Sequence, residues 1–254
     1  MLGADAGEES LDSPIAPPGK LLQGALQHLR AAPADPEDPW RFIAFALPRA
    51  AESKAQLFQD LWALWTSGQK RGGYFVEIGA ADGVALSNTW LLETGHGWTG
   101  VIAEPNPGYA EALKRRACDV SALCVSSQTG LTVPFLATAK PEFSRMASVD
   151  PGDAHEDKRL RDYREISVET VTLGDLLERH GAPGVIDYLS LDTEGSEFDI
   201  LEHLDFDRWR IQAVTVEHNF TPARERLHDL LASRGYERQW PELSRWDDWY
   251  VRRR

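Results

Sequence analysis

Phe75-Val76-Glu77-Ile78-Gly79-Ala80-Ala81-Asp82-Gly83 runs from an apolar, strand-like stretch into a turn of small residues, and helical spacing begins near Thr89. Gly and Ala suit that turn because the backbone must bend sharply and let a ligand approach closely. Outward from it the same alternation continues. Short apolar runs at 74–78, 101–103, 122–125, 185–191 and 211–216 alternate with helical stretches at 89–94, 108–117, 173–180, 197–204 and 222–233. Continuous apolar strands separated by amphipathic helices predict an α/β domain, a doubly wound and mostly parallel sheet covered on both faces. A last pair of runs, 236–240 and 249–251, reads as a closing antiparallel hairpin.

The turn also constrains the ligand. A dinucleotide fingerprint needs a third small residue three positions after the second, so that helix and strand pack closely. Counting from Gly79, the second position is Ala81 and the third is Val84, whose bulk opposes a pyrophosphate clamp. Methyltransferases instead carry an acid two positions before the first glycine, where Glu77 stands; its carboxylate is placed to accept bonds, direct or through water, from an ammonium. An ordinary strand-to-helix turn is the bland alternative. The second strand ends in Glu104-Pro105-Asn106, with Glu104 lying 25 residues after Gly79. That is near the spacing from which an acid reaches ribose hydroxyls.

These stretches, with Ser87-Asn88-Thr89-Trp90, Gly97-Trp98-Thr99-Gly100 and Leu189-Ser190-Leu191-Asp192-Thr193-Glu194-Gly195-Ser196-Glu197, resemble FkbM-type methyltransferases. Gln59-Asp60 resembles a Gln-Asp pair that precedes the fold in that family, and the likeness runs from about residue 56 to 251. It implies a class I methyltransferase fold (Rossmann-like, seven-stranded), S-adenosyl-L-methionine as donor, and a hydroxyl acceptor on a sugar, glycan or natural product. Glu77, Gly79, Ala81, Asp82, Gly83, Asn88, Glu104, Pro105, Asn106 and Ser126 are the expected cofactor-binding residues. Asn88 lies in a segment that is equally a helix cap, and contacts at Ser126 would be made largely through the backbone.

Two further strand ends carry polar residues: Asp192, Thr193 and Glu194 after one, Glu217, His218 and Asn219 after the other. In a doubly wound sheet such ends open into one crevice. Asp192, Glu217 and His218 are therefore candidate ligands for a divalent cation, by analogy with catechol and some sugar O-methyltransferases. A cation there would lower the pKa of a bound hydroxyl; carboxylates suit Mg²⁺, and a His ligand shifts the choice toward Mn²⁺ or Fe²⁺. Asp192 and His218 are the candidate catalytic residues; in the metal-free alternative Asp192 and Glu194 satisfy nearby helix N–H groups and His218 acts alone as general base. A dinucleotide-dependent oxidoreductase and a scaffold that has lost its chemistry are the alternatives to a methyltransferase. Val84 opposes the first, and the acids at the strand ends oppose the second.

The bulk properties bound the rest. The 254 residues suit one large domain, and the net charge of −13, from 40 acidic against 27 basic residues, shows no basic stripe for nucleic acid. Cys118 and Cys124 lack ligand-like neighbours, so reduced thiols are expected. No signal peptide or membrane-length apolar run stands out, which predicts a cytoplasmic protein without membrane insertion. Residues 1–19 read as a flexible acidic tail, 20–70 as N-terminal helices packed on the domain, and 71–254 as the methyltransferase domain. The charged segment 155–165 reads as an exposed loop or lid. Trp240, Trp246, Trp249 and Tyr250 read either as packing for the last hairpin or as an aromatic acceptor pocket.

Overall fold

The structure, a computed structural model, describes residues 18–31, 35, 37–138, 143–149 and 163–253. Most of the proposed tail and residues 155–162 of the proposed lid lie outside these. Three helices come first: α1 (Pro18–Ala31), α2 (Pro39–Ala46) and α3 (Gln59–Thr66). Asp38 caps α2, its side chain accepting from the Trp40 N–H, and Pro39 fills the first turn where no N–H partner is needed.

The central sheet has seven strands. Five run parallel: β1 (Tyr74–Ile78), β2 (Thr99–Ala103), β3 (Asp119–Ser121), β8 (Val185–Leu191) and β9 (Arg210–Glu217). The closing strands β10 (Tyr236–Gln239) and β11 (Asp247–Arg252) are antiparallel, and β11 pairs with β9. The order is β10-β11-β9-β8-β1-β2-β3, a mixed sheet. Alternate side chains on each strand face opposite sides. Val76, Ile78, Val101 and Ala103 pack with α5 (Leu173–Arg179), α6 (Glu197–Glu202) and α7 (Ala223–Ser233). Phe75 and Ile102 pack on the other side with α2, α3 and α4 (Trp90–His96), so the N-terminal helices share a core with the sheet. Phe42, Trp62 and Trp249 meet there with ring centroids 5.3–5.8 Å apart. This places Trp240, Trp249 and Tyr250 in the core; of the four aromatic candidates only Trp246 reaches a cleft.

One part of the expected topology is different. The run 122–125 is not the third strand of the main sheet. That place belongs to β3, while β4 (Cys124–Val125) joins a second, four-stranded sheet of order β4-β7-β5-β6. Its other members are β5 (Thr132–Thr138), β6 (Arg145–Met146) and β7 (Tyr163–Val171). Residues 163–165, read as the end of a loop, are the start of β7. Pairing with β5 over seven residue pairs overrides their charge. The second sheet has its own small core of Cys124, Phe135 and Val168. It lies against the carboxyl end of the main sheet, where it forms one wall of the cleft.

Candidate active site

The turn after β1 is held open by two constraints. Gly79 has φ +85°, and a Cβ there would lie 1.7 Å from the carbonyl oxygen of Asp192. Only glycine satisfies both the conformation and the approach. The turn then rides over a buried charge network that composition did not reveal. Glu77 accepts from Ser87 Oγ (2.9 Å), Thr89 Oγ1 (2.6 Å) and the Asn88 N–H (2.6 Å). Arg116, whose side chain is fully buried, lies 3.5 Å from Glu77. It donates to Gly83 O (2.9 Å), Ser87 Oγ (3.3 Å), Thr89 Oγ1 (2.9 Å) and Glu93 Oε2 (3.0 Å). Burial works against its charge, but Glu77 and Glu93 raise its pKa above the usual value. Both oxygens of Glu77 thus serve the chain's own donors, and the acid acts on the cleft by fixing Asn88.

The cleft has an empty volume of about 980 Å³, part of it open to solvent. Glu77, Gly79, Ala81, Asn88, Glu104, Pro105 and Asp192, all expected at the site, line it. At one end the wall is mostly apolar: Leu123, Cys124 and Val125 from the main chain around β4, with Phe135 and Met146 from the second sheet. Glu104 edges this end. Its oxygens accept from the N–H groups of Ala81 (3.0 Å) and Asn106 (2.8 Å), and burial raises its pKa to about 7. Asn88 donates through Nδ2 to Ser190 Oγ at 2.9 Å, while its Oδ1 is buried and without a hydrogen-bond partner. A buried acceptor left unpaired is costly and points to a donor supplied from outside the chain.

Four other expected residues support the site without lining it. Asp82 accepts from the Val84 and Ala85 N–H groups at 2.8 and 2.7 Å, which closes the turn. Gly83, at φ +73°, gives its carbonyl to Arg116. Asn106 caps the 3-10 turn that follows β2, accepting from the Gly108 N–H at 2.9 Å. Ser126 gives its N–H to Val171 O (2.9 Å) and its hydroxyl to Gln128 O (3.1 Å), so its three preceding residues form the wall in its place.

The opposite end is acidic. Asp192, Glu194 and Glu217 bring one carboxylate oxygen each within 4.8 Å of one another. Asp192 opens onto the cleft but lies deep among protein atoms; depth and the charges of Glu194 and Asp247 push its pKa well above the usual range. Burial and Asp192 do the same to Glu217. Asp247 faces Glu217 across the β9–β11 pairing, is raised by burial to about 7, and accepts from Gln59 Nε2 at 2.7 Å. Among the described residues neither Asp192 nor Glu217 has a Lys, Arg or His nitrogen within ion-pair distance. Glu197 is different. It accepts from the Thr193 N–H and hydroxyl (2.7 and 2.9 Å) and from the Gly195 N–H, so it holds the loop that presents Asp192 and Glu194.

His218 departs from its expected role. Its ring is buried, Nδ1 accepts from the Phe220 N–H at 2.9 Å, and Nε2 lies 3.1 Å from the Asp247 carbonyl. Burial lowers its pKa, so the ring is neutral, with its single N–H on Nε2. No ring nitrogen is left to take a hydroxyl proton or to join the acid cluster, where Glu194 occupies the place proposed for it. Sequence reasoning missed Arg116, Gln56, Asp247 and the inward side chains of the second sheet. Arg116 reaches the network beneath the turn, and the others the cleft itself, through long-range packing that no local spacing encodes.

Among the described residues no helix is long and apolar enough to cross a membrane. No curated protein matches the chain. Residues 77–238, which span the glycine turn, Glu104 and the acids of β8 and β9, match the family model described as the methyltransferase FkbM domain. The chain belongs to the FkbM methyltransferase family.

Proposed function

We propose that the protein is a class I methyltransferase that moves a methyl group from S-adenosylmethionine to a hydroxyl of a sugar, glycan or other natural product. The observation that carries this reading is the polarity of one cleft, apolar and edged by Glu104 at one end, carboxylate-rich at the other, with Gly79 between. When bound, the donor supplies an electrophilic methyl group on a sulfonium. The residues present fit it. Glu104 keeps free lone pairs beyond its two backbone bonds and would accept ribose hydroxyls. The unpaired Oδ1 of Asn88 would accept from the ammonium of the methionine part. Leu123, Val125, Phe135 and Met146 would cover the adenine ring.

The acid end suits the acceptor. Asp192, open to the cleft, is placed to take the hydroxyl proton as the oxygen attacks. The closeness of the carboxylates of Asp192 and Glu217, which have no basic partner among the described residues, also favours a cation there. The three carboxylates fit a hard divalent ion such as Mg²⁺ or Mn²⁺, and one bound by them would polarise the same hydroxyl. Val84 in the turn still speaks against a dinucleotide, and the retained acids against an inert scaffold. The test is a methylation assay with labelled S-adenosylmethionine and a panel of glycans and hydroxylated natural products. Label in a methyl ether is expected; cofactor binding without turnover on any hydroxyl, but with amine or carboxylate methylation, would replace the acceptor class.

A further inference from the structure

The helix α2 turns opposite faces to opposite surroundings. Phe42, Phe45 and Ala46 enter the core beneath it, while Trp40, Ile43, Ala44 and the C-cap Leu47 stand at i, i+3, i+4 and i+7 on the outer face. The chain's own packing leaves that stripe open. Trp40 is 38% and Leu47 63% exposed, Ala44 is exposed and Ile43 is half-buried. Among the described helices and strands, taken with their caps, no other exposes two large apolar side chains. Both ends of the stripe are pinned. Trp240 Nε1 donates to the Glu37 carbonyl at 2.9 Å, and Arg49 donates to the Phe45 carbonyl at 2.8 Å. The ends also differ in charge, with Glu37 exposed just before the helix and Arg49 just after it. Over residues 18–50 the four bases Lys20, Arg30, Arg41 and Arg49 outnumber the three acids Asp35, Glu37 and Asp38, in a chain whose net charge is −13. Two copies that meet elsewhere repel, and here they do not.

We infer that this face pairs with the same face of a second copy of the chain, α2 against α2 and antiparallel about a two-fold axis. Trp40 and Leu47 lie about 10 Å apart along the helix. Antiparallel packing therefore sets each indole against the partner's Leu47 and each Glu37 against the partner's Arg49, and the two-fold makes every contact twice. A parallel pairing would bring like charges together at both ends and is disfavoured. The stripe and its flanks offer on the order of 600 Å² per copy, the low end of specific pairings, so the dimer should dissociate in the micromolar range. A membrane surface fits less well. Anionic headgroups attract clusters of Lys and Arg, whereas Asp35, Glu37 and Asp38 gather at one end of this stripe.

The test is sedimentation velocity on the full chain from about 5 to about 200 μM. The parent should move from a species of 28.4 kDa toward one of twice that mass as concentration rises. Leu47→Glu and Trp40→Glu should each raise the dissociation constant by about twentyfold or more. Their Tm should stay within ~3 °C of the parent, because the side chains replaced are outside the core. Glu37→Arg and Arg49→Glu should each weaken the pairing by about fivefold, and the double variant should return to within about threefold of the parent. That recovery is what the antiparallel register demands and a merely structural role would not produce. A parent that stays monomeric at the highest concentration would overturn the pairing, as would a dimer that both apolar variants leave intact. So would charge reversals whose effects add in the double variant instead of cancelling. A monomer that floats with phosphatidylglycerol vesicles and loses this in Leu47→Glu would give the face to a membrane and overturn the pairing as well. Should an apolar variant fail to fold, the charge-reversal set decides alone, since it keeps the stripe.

Discussion

Arg116→Met tests whether the buried network beneath the glycine turn positions the cofactor end of the cleft. The guanidinium is fully buried between Glu77 and Glu93, whose side chains are 3% and 8% exposed. Methionine replaces much of the volume but leaves Gly83 O, Thr89 Oγ1 and Glu93 Oε2 without their donor. Breaking one partner of a buried ion pair costs about 3–5 kcal/mol, because the remaining charge stays buried. For a chain of this size each kcal/mol lowers Tm by ~2–4 °C, so a fall of about 10 °C or more is expected. The same loss should loosen the 87–89 segment, which carries Asn88, and weaken S-adenosylhomocysteine by about tenfold. Arg116→Lys keeps the charge without the planar fork and should fall between the two. Scanning calorimetry and titration of the ligand measure both effects. A Tm within ~2 °C of the parent, with full affinity, would show that the network neither stabilises the fold nor shapes the site.

Glu104→Gln should weaken cofactor binding by at least about tenfold, since an amide cannot accept from both backbone N–H groups and a ribose hydroxyl. Glu104 is raised to about 7 in the free protein, and ribose donors favour its charged form. Affinity should therefore rise between pH 6 and pH 8 in the parent, by titration at each pH, and stay flat in the variant. Asp60 (about 6), Glu104 and Asp247 (both about 7) all have folded-state values above the ordinary carboxylate range. The stability linked to them is complete below the unfolded values and is lost as pH climbs through 6 to 7. Ligand-free protein should accordingly unfold at lower temperature at pH 8 than at pH 5.5, and Asp247→Asn should flatten the slope. His218→Ala should cost about 2 kcal/mol through its two ring contacts. It should leave the pH dependence of turnover unchanged; loss of a titration near neutrality would restore its role as base. Mg²⁺ or Mn²⁺ should raise the Tm of the parent and not of Glu217→Gln; equal shifts in both would remove the cation from the acid cluster.

Much of the fold was legible because a buried parallel strand carries an uninterrupted apolar run. Tyr74–Ile78 and Val185–Leu191 coincide with the runs read from sequence, and β9 differs from its run by one residue at each end. The second sheet escaped because β5 contains Pro134 and β7 carries Arg164, Glu165 and Glu169, so neither looks like a core strand. At the site, Gly79 and Glu104 could be found because the turn conformation and the strand-end position impose the residue type. His218 could not be judged in the same way. Its neighbour Glu217 and its own chemistry suggested catalysis, while its ring orientation depends on Phe220 and on a carbonyl 29 residues away. Arg116 was equally hidden, because the last residue of the basic run Lys114-Arg115-Arg116 reads as part of a solvated face until Glu77 and Glu93 enclose it.

Isothermal titration of the purified chain with S-adenosylhomocysteine tests the central claim most directly. One molecule per chain is predicted, with Kd of about 1–100 μM, lost in Glu104→Gln and indifferent to NAD. No heat from S-adenosylmethionine or its product at concentrations near 1 mM, or competition by NAD for the same site, would contradict the account.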